Sequence, residues 1–424
     1  MLKTSKILMI VVAILLFGMT SCDRTIYDED EYERIIKYFS PVDSVDQRHS
    51  WQLTTHYSFR FIADAGSDIE SVRVFTADPL SDPAAEIMAA APISAGKTAV
   101  LSVTAPTTQK VFYAALVNKT GYYYVTSFTS SAIDVSFDGA VVGKPAGNFT
   151  PQAFTYLFEE NLPEPGDYDY NDLVLRISQQ RTGQKEITLN VTIAAVGAEY
   201  HLAGAIRLVG FRYQDIDSVK TTTGVTFNDG VPEASLYMFP QTDILLEGRH
   251  KEAVINLFAD AHWAMAFNIG VNYGLFQRKK YNVSNSTSDN YQLRATRTLS
   301  YVIYFKSEAD LNSFTLDTLD PFIVTTYAGV NWETHLDIYR DSQVFYDYTF
   351  PLNFKDLPWA LKVPMKEFRY PLEGNEIGFK KKTDTGATAM FGSYMTLGHS
   401  FGEWAEDYTK CLDWYLYPVD TYVW

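Results

Sequence analysis

The sequence predicts a mostly all-β protein: an immunoglobulin-like β-sandwich followed by a larger β-rich sandwich, jelly-roll-like, with few short helices. Three observations predict it. Apolar residues recur at every second position in several stretches, turn-forming residues punctuate those stretches at short intervals, and no long helical stripe interrupts them. With 424 residues, 46% of them hydrophobic and 15% aromatic, the chain can build a substantial core, and its length suits two or three domains.

The first residues read as a signal peptide. Lys3 and Lys6 form a positive start, and Ile7 through Phe17 run apolar without a charge. That run is shorter than the ~20 residues a bilayer span needs, and it leads through Gly18, Thr20 and Ser21 into Cys22. Met19-Thr20-Ser21-Cys22 resembles the lipobox of Gram-negative lipoproteins, which implies cleavage before Cys22, acyl chains on that cysteine, and a firm membrane anchor, because two lipid signals already hold a protein stably. The chain has 2 Cys; with lipid on Cys22, Cys411 has no intrachain partner and no disulfide enters the fold.

Charge excludes one class of partner. The chain is formally −16, and loss of Lys3 and Lys6 with the signal takes it to −18. Nucleic-acid binding needs clustered cations on phosphate, so no nucleic-acid partner is expected. Surplus carboxylate outside the cell suits solubility or divalent-cation sites.

Residues 22–46 include the acidic run Asp28, Glu29, Asp30, Glu31 and Glu33 and carry no periodic apolar face, so they read as a tether. Acidic residues behind the lipidated cysteine also resemble an export signal to the outer face of the outer membrane; linker and address both remain open. From Trp51 the period becomes two, with Tyr57, Phe59 and Phe61 and then Ala99, Leu101 and Val103 on one face. Turns at 64–66, 78–79, 95–96 and 118–121 separate such strands, with a helical turn expected near 83–91. The immunoglobulin-like domain is placed at 47–137 and a Gly/Pro-containing linker at 138–148. Beyond it, Ile187, Leu189, Val191 and Ile193 alternate with polar residues, and a turn at Arg181 to Gly183 would pair that strand with Leu173 to Ser178. Further strands are expected at 254–258, 299–305 and 322–326.

The stretch from Phe158 to Val174 concentrates oxygen donors. Asp167, Asp169 and Asn171 alternate with tyrosines, and Asp172, Glu159 and Glu160 stand close by. Ca²⁺ takes six to eight such hard oxygens. The spacing starts like an EF-hand loop, but Asp172 stands where glycine is required and Ser178 where the final glutamate belongs, so an EF-hand is rejected. Two readings stay open: a non-EF calcium site with these six ligands, or an Asp/Asn-rich turn whose side chains cap backbone amides.

The run Gly166-Asp167-Tyr168-Asp169-Tyr170-Asn171-Asp172 resembles the opening motif of the LruC domain of bacterial envelope lipoproteins. Asp320-Pro321-Phe322-Ile323, Glu333-Thr334-His335-Leu336, Leu357-Pro358-Trp359-Ala360-Leu361 and Tyr370-Pro371-Leu372-Glu373 follow in matching order, then Phe401, Trp404 and Asp413-Trp414-Tyr415. The likeness spans 149–424, with Tyr170 where phenylalanine is usual. It implies an outer-membrane or surface lipoprotein without established enzymatic activity.

Other motifs carry less. Gly398-His399-Ser400-Phe401-Gly402 has the G-x-S-x-G spacing of a hydrolase nucleophile, but no histidine follows Ser400 and no parallel sheet is indicated. The 7 His are scattered, against zinc. Ser44, Ser218 and Thr318 each follow an aspartate and precede an aliphatic residue, resembling an O-glycosylation acceptor. The 7 Trp and 29 Tyr would serve glycan stacking if exposed on one face, and packing if buried. The expectation is therefore a non-catalytic, lipid-anchored outer-membrane protein, surface-exposed, with structural calcium and a glycan or protein ligand for adhesion. The alternative is a glycan-binding protein of an outer-membrane polysaccharide uptake system.

Overall fold

In the computed structural model, eight strands come first: β1 (Thr54–Ile62), β2 (Ile69–Phe75), β3 (Ile87–Pro92), β4 (Thr98–Pro106), β5 (Val111–Asn118), β6 (Tyr123–Thr129), β7 (Asp134–Ser136) and β8 (Val141–Gly143). The structure describes residues 44–46, 48–162, 166–222, 245–248, 252–266, 276–308, 311–327, 330–336, 357–383 and 385–424, all in one unit, Pro41–Trp424. The signal peptide, Cys22 and nearly all of the acidic tether lie outside the described residues. Among those described, no helix is long and apolar enough to cross a membrane.

The eight strands form two sheets, β4-β1-β7 and β3-β2-β5-β6-β8. Between them lie Phe59, Phe61, Val72, Val74, Leu101, Val103, Phe112 and Leu116, the apolar partners of the period-two stretches. Two details differ from expectation. Residues 87–92 form β3 where a helical turn was expected, because they pair with β2 from Ser71 opposite Pro92 to Phe75 opposite Ile87. Val141–Gly143, expected in the linker, pairs with β6 as an edge strand.

The larger part contains β9 (Ala153–Phe158), β10 (Leu173–Gly183), β11 (Glu186–Ala195), β12 (Ala203–Arg212), β13 (Ile216–Thr221), β14 (Leu246–Glu247), β15 (Glu252–Phe258), α1 (Ala261–Ala266), β16 (Lys280–Tyr281), β17 (Tyr291–Gln292), β18 (Arg297–Phe305), β19 (Leu319–Tyr327) and β20 (Val330–Thr334). It continues with β21 (Ala360–Val363), β22 (Phe379–Lys382), β23 (Thr388–Phe391) and α2 (Phe401–Glu406). Two sheets dominate, β13-β18-β11-β10-β9-β21 and β14-β15-β12-β19-β20, and all their strand pairs are antiparallel. The molecule is thus mostly β, with two short α-helices among the described residues. Leu175, Ile177, Leu189, Val191, Ile206, Ile255, Ile303 and Ile323 belong to the core that the two sheets share. The β10–β11 hairpin forms as its alternation predicts, but strand pairing continues to Gly183 opposite Glu186, so the turn sits at Gln184-Lys185 rather than at Arg181 to Gly183.

A second core explains why β9 is buried at every position. Leu157, Val174, Leu361 and Val363 cluster with Phe368, Tyr370, Tyr394, Phe401, Trp404 and Trp414 from the C-terminal segment, while Tyr156, Phe158 and Leu175 belong to the core between the sheets. Trp51 and Leu53, which the sequence assigns to the first sandwich, pack in this C-terminal core. Asp46 N–H donates to Ala405 O at 3.0 Å and His49 Nε2 lies 2.9 Å from Trp404 O. Burial outweighs these partners and pushes His49 down to about 4. The segment before β1 is therefore strapped to α2.

A polar stitch joins the first sandwich to the second. Thr54 Oγ1 donates to Asp317 Oδ1 (2.8 Å), Asp317 N–H donates to Thr104 Oγ1 (3.1 Å), and Lys362 Nζ donates to Asp317 Oδ1. Ser102 and Thr104, on the polar face of β4, are consequently buried.

Candidate cation site

The acidic motif lies in the connection between β9 and β10, whose register pairs Phe158 with Leu173. Tyr168 and Tyr170 both adopt left-handed backbone, at φ 58° and 54°, which costs a bulky L-residue about 1–2 kcal/mol each. The C-terminal segment holds them there. Tyr168 O accepts from Ile377 N–H (2.7 Å), and the buried Tyr170 hydroxyl donates to Pro358 O (2.6 Å). Asp169, between the tyrosines, accepts through Oδ1 from Asn171 N–H (3.1 Å) and through Oδ2 from Gly374 N–H (2.8 Å). Glu159 N–H donates to Trp359 O at 2.8 Å.

Three of the six expected ligands converge. One oxygen each from Glu159, Asp167 and Asp169 lies within 4.8 Å of the others; Glu159 and Asp169 are buried and Asp167 is exposed. Glu159 Oε1 accepts from Tyr170 N–H at 2.6 Å, whereas its Oε2 is buried without a hydrogen-bond partner. Gly166 makes room for that oxygen, since a Cβ there would collide with it.

The other three face backbone instead. Glu160 accepts from Glu199 N–H (2.6 Å) and Tyr200 N–H (2.8 Å), and Asp172 Oδ2 accepts from Glu160 N–H (2.8 Å). Asn171 Nδ2 donates to Pro371 O (3.2 Å), while its buried Oδ1, with no hydrogen-bond partner, lies against Gly197. The two sequence readings thus divide the motif: a convergent carboxylate trio, and beside it a set of side chains capping amides.

Electrostatics make the trio costly as it stands. Burial, reinforced by Asp167 and Asp169, holds the Glu159 carboxyl well above the usual range. Burial and then Asp167 do the same to Asp169, and burial with Glu159 and Glu160 to Asp172. Carboxylates so placed either take up protons or gain a cation. The donors are hard oxygens, one of them buried and unpaired, which fits Ca²⁺ far better than a thiophilic metal.

Sequence reasoning missed the groups that tertiary structure adds. Partial burial and Asp167 raise Glu376 to about 7, and Glu373 is raised by burial although Lys280 Nζ sits 2.6 Å from it. No spacing links these residues to the motif. A second charged group lies elsewhere in the fold: His335 sits between Asp320 (2.8 Å) and Glu333 (3.0 Å), and Arg207 Nη2 is 3.1 Å from Asp320.

The remaining candidates are placed as follows. Ser400 is the N-cap of α2; it accepts from Glu403 N–H, donates to the Glu403 carboxylate at 2.9 Å and is fully buried. Ser44 is exposed and Ser218 half-buried on β13, but the Thr318 hydroxyl is tied into a tight turn, donating to Thr315 O at 2.7 Å. Six of the seven tryptophans are buried and Trp424 is half-buried, so none forms an open stacking platform.

A family profile described as a domain of unknown function, DUF4842, matches residues 185–380. No curated protein shows significant similarity to the chain. Among solved structures, a Bacteroides ovatus protein provisionally described as a lipoprotein is similar at 14% identity and a TM-score of 0.48, covering 85% of this chain and 99% of that one.

Proposed function

We propose that this chain is a LruC-like envelope lipoprotein, anchored by lipid on Cys22 to the outer membrane with its β-rich body exposed at the cell surface. It is non-catalytic and works as an adhesion or binding module for a glycan or protein. A structural Ca²⁺ held by Glu159, Asp167 and Asp169 pins the β9–β10 connection. The observation that carries the cation assignment is the convergence of these three carboxylates around a buried Glu159 oxygen with no hydrogen-bond partner. The ion would supply charge compensation alone. Ordering would pass to the C-terminal segment through Gly374 and Ile377, whose amides bond Asp169 and Tyr168. Burial of the tryptophans favours this reading over a glycan-capture protein built on aromatic platforms.

Two experiments test it. Cells given labelled palmitate should label the wild-type chain and not Cys22→Ser, and external protease on intact cells should cleave it; equal labelling of both would reject the anchor, and protection would reject surface exposure. For the cation, the body from Asp23 to Trp424 should melt higher in calcium than in chelator, and Asp169→Ala should abolish the difference. Identical melting in both would reduce the motif to turn chemistry.

A further inference from the structure

Charge of the opposite sign gathers in two runs, Arg278-Lys279-Lys280 and Lys380-Lys381-Lys382, the first of which lines a cleft. Arg278, Lys279 and Lys280 are consecutive, and all three line an open cleft of about 320 Å³. Lys280 reaches from the cleft to Glu373 (2.6 Å) and Glu199 (2.9 Å), and Arg278 Nη1 donates to Glu199 O at 2.6 Å. Among the described residues Lys279 has no ion pair. Glu199 and Glu373 compensate Lys280, and Arg278 and Lys279 are the remaining cations of the cleft lining.

One lining residue, His262, is short of protons. The ring of His262, on α1, has Nδ1 3.0 Å from Lys279 O and Nε2 3.2 Å from Tyr200 O. A neutral imidazole donates to one carbonyl only, and both are satisfied only by the imidazolium. Burial disfavours that charge, and an anion in the cleft would offset the penalty. Asn290 and the half-buried Tyr291 complete the lining beside Lys280.

We propose that this cleft binds an acidic sugar, its carboxylate or sulfate group meeting Lys279 and Arg278 and its ring lying against Tyr291 and Asn290. The cleft is larger than a bare oxyanion needs, and its lining is rich in hydrogen-bonding groups, which suits a hydroxylated body over an apolar one. The inference does not depend on the cation site.

The test is calorimetric titration of the full chain, purified in detergent, with glucuronate, glucose 6-sulfate, glucose and inorganic sulfate. At least one acidic sugar should bind saturably, with a dissociation constant on the order of 1 mM, and glucose should bind about tenfold more weakly. Lys279→Glu should weaken the acidic sugar by about tenfold, and Lys119→Glu, an exposed charge change in the first sandwich, should leave it unaltered. Comparing the two acidic sugars identifies the preferred acid. Absence of saturable binding by both, or equal binding to wild type and Lys279→Glu, would overturn the site. Inorganic sulfate binding as tightly as the sugars would overturn the sugar assignment.

Discussion

The imidazole of His335 offers a prediction whose size follows from the structure. Its two ring nitrogens face Asp320 and Glu333, all three side chains are fully buried, and the ring stacks on Phe322 with centroids 4.5 Å apart. Only the imidazolium donates to both carboxylates. Burial alone would drive its pKa down, but Asp320 and Glu333 outweigh burial and hold it at about 9, against about 6.5 in an unfolded chain. A folded value raised above the unfolded one gives stability that is fully present below about 6.5 and is lost as pH rises through about 9. At 1.36 kcal/mol per unit, the contribution is ~3 kcal/mol. Urea unfolding of wild type and His335→Gln, followed from pH 6 to 10, measures it. At pH 6 the variant should be less stable by ~3–5 kcal/mol, since it removes the cation that faces two buried carboxylates. Between pH 6.5 and 10 the wild type should lose ~3 kcal/mol more than the variant. Parallel curves would refute a charged His335.

Other outcomes follow from the same geometry. Trp51→Ala should cost ~3–5 kcal/mol by emptying a site between His49, Phe401 and Trp404; a loss under 1 kcal/mol in chemical denaturation would show that the strap does not share the C-terminal core. Tyr170→Phe removes the hydroxyl that bonds Pro358 O and should cost ~1 kcal/mol, read from the same unfolding curves. In chelator, Glu376, raised to about 7, takes up a proton on folding, so stability should fall as pH rises through about 7 and Glu376→Gln should lessen that fall. Gly166→Ala should displace the Glu159 carboxylate and weaken calcium binding while circular dichroism stays native.

What the sequence made legible depended on how each strand is exposed. β1 and β11 keep one face polar, so their period of two is plain, and β15, β18 and β19 were likewise recognisable from apolar runs. β9 and β12 show no alternation: β9 is buried along its whole length and β12 through most of it, and such an apolar stretch has no face to mark. The helical turn expected at 83–91 failed because alanines that suit a helix were recruited by pairing with β2. At the candidate site, Asp167 and Asp169 stood out because they lie two positions apart in one short motif. Glu373 and Glu376 lie some two hundred positions away, next to Gly374 and Ile377, whose amides bond the loop in a way that no spacing rule foretells. The sequence also could not separate converging carboxylates from capping ones, because Glu159 and Glu160 are neighbours whose side chains serve different partners.

Calcium titration by calorimetry into the chelator-treated body, beside Glu159→Gln, addresses the central claim most directly. The account predicts one saturable site with a dissociation constant on the order of 10⁻⁴ M, stabilisation of about 2.7 kcal/mol at a hundredfold excess over that value, and loss of both in the variant. Absence of binding at about 10 mM calcium, or undiminished binding by Glu159→Gln, would contradict it.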